Sequence, residues 1–502
     1  MLGRNAKKRF YLLFVACILL FSAFIIYKNT ARRGGPLDVI TSKVVNPISY
    51  LYFEDLEKLS TGQAISEELR EKLNKQLSTP YIVNSVSSQI RHASLKNPYL
   101  RIAQWNIASG GRVDVIKQIF LDPKEFYNKY KQKVEKTLTS DLKKEIELLS
   151  TNDIIFLNEV DIGLPRTNYA NIAKEISRSL GYNYAFATEF IELGPIVHKQ
   201  KIHKSVYLGL HGNAILSKFP IVSAEVLSLP ECYDWFGEEL KFRSPLEHVR
   251  VASAKTVFEQ RILTEVRRGT RNALIAKIKL PNNEFVTIVS THLEDRCFPS
   301  GRLKQMQVLL TKLRNITGLL VIGGDFNTST TDTAPTSFRK EIIKRLKDPN
   351  FIARQAAFAA IPGLPIASGV GTVIVSKLLQ YKDPTYPSIP VIFPNNERPL
   401  FLYMEDFRFA DGEMFDFGGD PNRSFGKAGY LSNSNERVSK GFEQTFEFTE
   451  PRFIAYFKLD WFFVKPYKGR FKPYNGQTLK VLNESYPEKI SDHNPITVDI
   501  SL

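Results

Sequence analysis

Cysteine is nearly absent from this chain, with three in 502 residues, and only seven histidines occur. No Cys/His group has the spacing of a zinc site. His198 and His203 stand five apart in a lysine-rich stretch and so miss the i, i+4 helical pair of a zinc peptidase. There is no P-loop, and no G-x-G-x-x-G opens a helix after a strand, which points to hydrolysis rather than nucleotide-dependent transfer. Internal repeats and low-complexity tracts are missing too. Acidic residues are absent from positions 1–33, which carry Arg4, Lys7, Lys8, Arg9, Lys28, Arg32 and Arg33.

What is present is an ordinary apolar fraction of 43% and a formal charge of +16. The first suits one large domain with appendages. The second attracts phosphate-bearing partners, nucleic acid or anionic lipid, without choosing between them. Phe10 to Tyr27 is an uncharged run of 18 residues behind a basic tail at 1–9. As a helix it spans roughly 27 Å, near the hydrocarbon thickness of a bilayer. It is read as a transmembrane signal anchor, with the bulk of the chain on the non-cytoplasmic side. A cleaved signal peptide, giving a secreted protein, and Cys17 as a lipoprotein cysteine are the alternatives. With Cys17 in the anchor, Cys232 and Cys297 form one disulfide in an oxidising compartment or remain two buried thiols.

Residues 28–98 read as a stalk or linker. Ile65, Leu69, Leu73 and Leu77 give an amphipathic helix within 50–78. From Tyr99 β-type runs alternate with helical ones, an α/β pattern, so 99–502 is the expected catalytic domain, with an insertion at about 330–455. That insertion holds the apolar stretch 356–379. A membrane crossing there would separate Asp325 from Asp492, and Pro362, Gly363, Pro365, Gly369 and Gly371 break a regular helix. The stretch is either a buried Ala/Gly-rich insert or an element that touches a membrane surface.

Polar residues recur at the ends of apolar runs, where rigid strands present side chains to a site. Asn106 ends LRIAQWN, Glu159 ends DIIFLNE, His292 ends VTIVSTH, Asp325 and Asn327 close VIGGDFN, and Asp492 with His493 opens SDHNPITVDI. The oxygen ligands among them suit Mg²⁺ or Mn²⁺ rather than a soft metal. The two histidines, each beside polar groups, suit a base that takes a proton from water and a partner for the leaving oxygen. Asp460, opening DWFFV, is the acid expected to orient the base. Singly, a strand-end histidine is more often a core residue, and an Asp-x-Asn pair more often a turn or cap. The ordered set carries the argument.

That order resembles the endonuclease/exonuclease/phosphatase superfamily, through QWNI, LNEVD, GNAILSK, THLED, the GRLKQM helix, GDFN, LDWFF and SDHNP. The resemblance implies a four-layer sandwich of two packed mixed β-sheets flanked by helices. It also implies one-step attack of activated water on a metal-bound phosphoester. It assigns Glu159 as principal metal ligand, supported by Asn106 and Asp492. His493 becomes the general base, oriented by Asp460, and His292 the stabiliser of the transition state, while Asp325 and Asn327 position phosphate, nucleophile or a second metal. Asn213 and Arg271, with Lys199, Lys201 and Lys204 of HKQKIHK, are candidate substrate contacts. GDFNTST and FKLDWFFV depart from the inositol-phosphatase branch, and WNIASGG with NEVD from the abasic-site endonucleases. Three functions follow as expectations: a phosphodiesterase or nuclease, a phospholipid or sphingomyelin phosphodiesterase at the membrane surface, and a catalytically inactive scaffold. The expected partners are a phosphoester substrate and the membrane, with no obligate protein partner.

Overall fold

Apolar runs rich in Ile, Phe and Val, such as those in Ile154–Ile162 and Leu319–Asp325, are buried almost throughout, as strands covered on both faces must be. A computed structural model describes residues 42–85, 97–240, 265–328, 381–382, 390–391, 398–416, 444–448 and 455–502. Its strands are β1 Ser42–Val45, β2 Tyr81–Ser85, β3 Tyr99–Asn106, β4 Ile154–Ile162, β5 Asn183–Glu192 and β6 Leu210–Ser217. There follow β7 Ile221–Ser228, β8 Arg267–Gly269, β9 Asn272–Lys279, β10 Phe285–His292 and β11 Leu319–Asp325. Two short hairpins, β12 Tyr381–Lys382 with β13 Pro390–Val391 and β14 Phe446–Phe448 with β15 Ala455–Phe457, precede β16 Asp460–Lys465, β17 Pro473–Thr478 and β18 Ile496–Ser501.

A nine-stranded sheet runs β1-β2-β5-β6-β4-β3-β18-β17, with β8 also paired to β5, and a five-stranded sheet runs β16-β11-β10-β9-β7. Both are mixed: β3 and β4 are parallel, as are β10 and β11, and the remaining pairs are antiparallel. The inner faces meet in one apolar layer, where Ile102, Phe156 and Ile215 of the larger sheet pack with Leu274, Val321 and Phe462 of the smaller. Helices cover both outer faces. Val113–Leu121, Thr139–Ser150 and Ile172–Leu180 bury Ile116, Leu149 and Ile176 against the larger sheet. Pro299–Leu313 and Arg398–Asp406 bury Leu309, Leu310 and Met404 against the smaller. The helix Ile172–Leu180 shows how the sequence sets such an element. The Asn171 side chain caps its start by accepting from Lys174 N, and Gly181, at φ +68°, ends it in the left-handed region.

Residues 42–85 differ from the expected stalk. Here β1 and β2 extend the larger sheet beyond β5, and the helical segment is two helices, Phe53–Leu59 and Glu67–Ser78. The apolar stripe was legible, but its counterpart is the domain itself: Leu69 and Leu73 are buried, and Gln76 donates to Thr188 in β5 at 3.0 Å. The runs 10–27 and 356–379 lie outside the described residues. Among the described residues no helix is long and apolar enough to cross a membrane.

Candidate active site

Parallel pairing brings the C-terminal ends of β3 and β4, and of β10 and β11, to one edge of the sandwich, and antiparallel β16 and β18 bring their N-terminal ends to the same edge. Register does the rest. His292 lies opposite Asp325, and Asp325 opposite Asp460, so three chemically active side chains stand side by side on adjacent strands. Gly324 makes this approach feasible: its φ is +151°, and a Cβ there would lie 1.7 Å from the Thr291 carbonyl oxygen. Glu159 has φ +52°, beside an irregularity between Leu157 and Val160 in the pairing of β4 with β6. A break in the ladder of this kind re-aims a side chain, and Glu159 is half-buried where its neighbours are buried.

The Asn106 amide joins the two sheets, its Nδ2 donating to Glu159 Oε1 at 3.0 Å and to Asp325 Oδ2 at 3.0 Å. Asp325 Oδ2 in turn lies 3.5 Å from His292 Nε2 and 3.6 Å from His493 Nε2. The other ring nitrogen of His493 bonds Asp460 Oδ2 at 2.7 Å, and Asp460 Oδ1 accepts from Gln104 Nε2 at 3.0 Å. Asp492 is exposed at the rim and accepts from Ser491 Oγ at 3.2 Å. Asn327 bonds its backbone N–H to Asp325 Oδ1 at 2.9 Å, and its Nδ2 lies 3.0 Å from His292 Nε2 and 3.0 Å from Leu293 O.

The two histidines are electrically unlike. Burial disfavours the His493 imidazolium, but the carboxylates of Asp460 and Asp325 outweigh it and hold the pKa well above the ordinary value. Burial also disfavours a charged His292, and there Arg271 adds to it, so that ring stays neutral. Arg271 Nη1 sits 2.8 Å from His292 Nδ1. A guanidinium only donates, so Nδ1 accepts and the ring proton rests on Nε2, 3.5 Å from Asp325 Oδ2. Asp325 is pushed up to about 7, by burial first and by Asp460 besides, against the opposing pull of His493.

The ligand atoms of Asp325, Asp460 and His493 lie within 4.8 Å of one another, a buried group that could bind a metal. Yet both Asp460 oxygens already accept protein hydrogen bonds. The less committed oxygens are those of half-buried Glu159 and exposed Asp492. An oxygen-donor set of this kind suits a hard divalent cation.

Asn106, Glu159, His292, Asp325, Asn327, Asp460 and His493 are thus linked by direct contacts, with Asp492 adjoining at the rim. The other expected residues fare differently. Asn213 is fully buried, its Oδ1 accepting from Asn158 and its Nδ2 donating to Glu189, so it braces the site rather than facing the cleft. Arg271 is buried behind His292. Lys199 and Lys201 are exposed, and Lys204 pairs with Glu57 at 2.8 Å. Cys232, exposed, and Cys297 bring their sulfurs together beside Gly301, where their side chains hydrogen-bond to each other. Sequence reasoning missed Asn158 and Gln104. Asn158 Oδ1 accepts from Asp325 N at 2.9 Å and from Gln104 Nε2 at 2.7 Å. Polar residues inside LRIAQWN and DIIFLNE were the available signal, since an amide in a doubly covered strand must be hydrogen-bonded.

Among solved structures, the human Nocturnin catalytic domain is 15% identical, with 82% of this chain and 96% of that one covered and a TM-score of 0.37. Beta toxin from Staphylococcus aureus is 12% identical over 80% of this chain and 99% of that one, at a TM-score of 0.36. An endonuclease/exonuclease/phosphatase from Beutenbergia cavernae is 14% identical over 80% of this chain and 72% of that one, at 0.34. No curated protein matches the chain significantly. Residues 103–493, most of the chain, from within β3 to His493, match the Endonuclease/Exonuclease/phosphatase family, and the chain belongs to that family.

Proposed function

We propose that the chain is a divalent-metal-dependent phosphodiesterase that cleaves phosphoesters by direct attack of water, with nucleic acid the first substrate to test. The observation that carries this reading is the line Asp460–His493–Asp325, tied to Glu159 through the Asn106 amide. Glu159 and Asp492 would hold Mg²⁺ or Mn²⁺, with Asn106 turning its Oδ1, which now accepts from Ala108 N, toward the ion. A cation there neutralises phosphate charge and polarises the phosphorus–oxygen bonds, chemistry typically worth several kcal/mol.

The chain's own groups supply the rest. Asp460 fixes the His493 ring through Nδ1 and leaves Nε2 facing the cleft, where it takes the proton of the attacking water. Asp325, 3.6 Å from that nitrogen, aligns the water. His292 presents Nε2–H as a neutral donor to the oxygen that gains charge, and Arg271 holds it in that tautomer. Asn327 positions a phosphoryl oxygen beside it.

The test is a panel of plasmid DNA, RNA, phospholipid vesicles, sphingomyelin and phosphorylated inositols, each with Mg²⁺ and with chelator, for wild type and His493→Ala. Cleavage that needs both the metal and His493 supports the reading. Cleavage of none of them by a folded wild type leaves the inactive scaffold. Membrane attachment through Phe10–Tyr27, with the domain on the non-cytoplasmic side, belongs to the same proposal and rests on the sequence. It would favour the vesicle and sphingomyelin arms.

A further inference from the structure

Along the chain from Glu159 lies a concavity of about 190 Å³ walled by Arg166. A site for a whole drug-sized molecule measures about 300–1,000 Å³, so this one takes a fragment of a substrate. It follows directly from β4: two residues past Glu159, Asp161 grips Arg166 through Oδ2–Nε at 2.6 Å and Oδ1–Nη2 at 2.8 Å, and Arg166 forms the wall. Glu159 is close enough for its charge to act on that guanidinium. Leu164 and Pro195 supply apolar lining; Glu192, Gln200 and Glu265 supply the polar remainder.

The polar groups are incompletely matched to one another. Glu192 Oε1 is 3.5 Å from Arg166 Nη2 and 3.8 Å from Arg267 Nε, and that Nε is buried with no hydrogen-bond partner. Glu265 Oε1 stands 4.0 Å from Arg166 Nη1, although its other oxygen pairs with Arg267. The lining thus offers both donors and acceptors, together with the apolar Leu164 and Pro195. A second phosphate would meet the carboxylates of Glu192 and Glu265. An acyl chain would cover Arg166, Glu192, Gln200 and Glu265 without offering any of them a hydrogen bond. A quaternary ammonium would find no aromatic face in the lining. A hydroxyl both donates and accepts, and a ring bearing several hydroxyls on an apolar frame satisfies both halves of the surface.

We infer that this concavity is the subsite for a sugar ring of the phosphoester substrate, recognised through its hydroxyls by Arg166, Glu192, Gln200 and Glu265. The inference rests on the phosphoesterase reading and narrows its substrate to sugar-bearing phosphoesters, whether the sugar is the ribose of a nucleotide or a free hexose.

Three p-nitrophenyl phosphodiesters test it on the full chain with Mg²⁺: one of a hexose through its 6-oxygen, one of a ribonucleoside through its 5′-oxygen, and one of hexanol. Binding of hexose 6-phosphate against hexyl phosphate, measured by calorimetry, is a readout independent of turnover. We expect kcat/KM for at least one sugar ester to exceed that of the hexyl ester by about tenfold or more, with the same order in binding. The two sugar esters tell which source of hydroxyls fits. Glu265→Gln and Gln200→Ala should each erode that preference several-fold while hydrolysis of the hexyl ester changes less than about twofold. Glu192→Gln is the more severe variant because Glu192 is buried among arginines; the other two keep the test decisive if it does not fold. Equal handling of all three esters, with equal binding, overturns the subsite and leaves the hydrolase standing. An undiminished preference in both Glu265→Gln and Gln200→Ala overturns it too. Tighter binding of the hexose phosphate without turnover of any ester supports the subsite and removes the hydrolase.

Discussion

His493 Nδ1 and Asp460 Oδ2 are 2.7 Å apart, both side chains buried, so one edge of the imidazole is fixed and only Nε2 is left to meet the cleft. The pair divides the labour of a base. In the proposed mechanism His493 would move the proton, and Asp460 would keep the ring in place and its charge tolerable.

His493→Ala should therefore lower kcat by about 10²–10⁴ while the protein stays folded. Asp460→Asn keeps the shape but loses the carboxylate. It should lower kcat by less than His493→Ala and shift the basic-group limb of the pH–rate profile to lower pH. A kcat–pH series on both variants checks this, and an unchanged Asp460→Asn profile would detach Asp460 from the base.

Glu159→Gln should abolish Mg²⁺-dependent turnover and also the rise in melting temperature on adding Mg²⁺, since binding to the folded state alone is what stabilises it. Differential scanning fluorimetry with and without chelator gives the second readout without any substrate. A variant that retains the full metal-induced shift would place the ion elsewhere, in the group formed by Asp325, Asp460 and His493.

The metal-free protein should lose stability as pH rises. Asp325 has a folded pKa of about 7, raised from 3.8, chiefly by burial. A raised folded value means the native state holds the proton more tightly, so the contribution is complete below about pH 4 and lost on the way up to about pH 7. His493 is shifted upward too, and its contribution has the same sign, being lost only above its ordinary value of 6.5. Chelator-treated protein should thus melt at a lower temperature at pH 8 than at pH 5.5, with Asp325→Asn flattening the difference.

Arg101 and Asp499 tie β3 to β18 through a bidentate ion pair, Nε–Oδ1 at 2.7 Å and Nη2–Oδ2 at 3.0 Å, largely buried at both ends. Asp499→Ala leaves the guanidinium without its main partner and should cost about 3–5 kcal/mol, read from urea unfolding. Arg101→Met with Asp499→Leu removes both charges and should recover much of that loss.

Deleting residues 1–33 should move the protein from the membrane to the soluble fraction while leaving kcat/KM on a soluble phosphodiester unchanged. The truncation spares every residue of β1 to β18. A protein that remains with the membrane after it would place the attachment elsewhere, with 356–379 the next segment to delete.

The sandwich and the core of the site were legible because they depend on short-range chemistry. Apolar runs mark the doubly covered strands, and the polar residues that end them, such as His292 and Asp325, mark the rim. Partner choice was less legible. The Leu69 and Leu73 stripe announces an amphipathic helix, but nothing within it tells that its counterpart is β5 rather than solvent-exposed stalk packing. Asn213 and Arg271 were recognisable as important polar residues, yet their burial behind Asn158 and His292 depends on which face of β6 turns inward and on how the chain enters β9. The positive φ of Glu159 depends on a ladder irregularity against β6, a strand about fifty residues downstream in sequence.

The pairing of β3 with β18 also has a bearing on when the site can exist. Tyr99 pairs with Ser501 and Gln104 with Ile496, so the strand that ends at Asn106 is completed by the strand that follows His493. Contacts of such sequence separation close late and slowly. During synthesis Asn106 of β3 and Glu159 of β4 would be made well before His493, the proposed base. On the proposed mechanism, activity would therefore wait until the strand that follows His493 is drawn into the sheet.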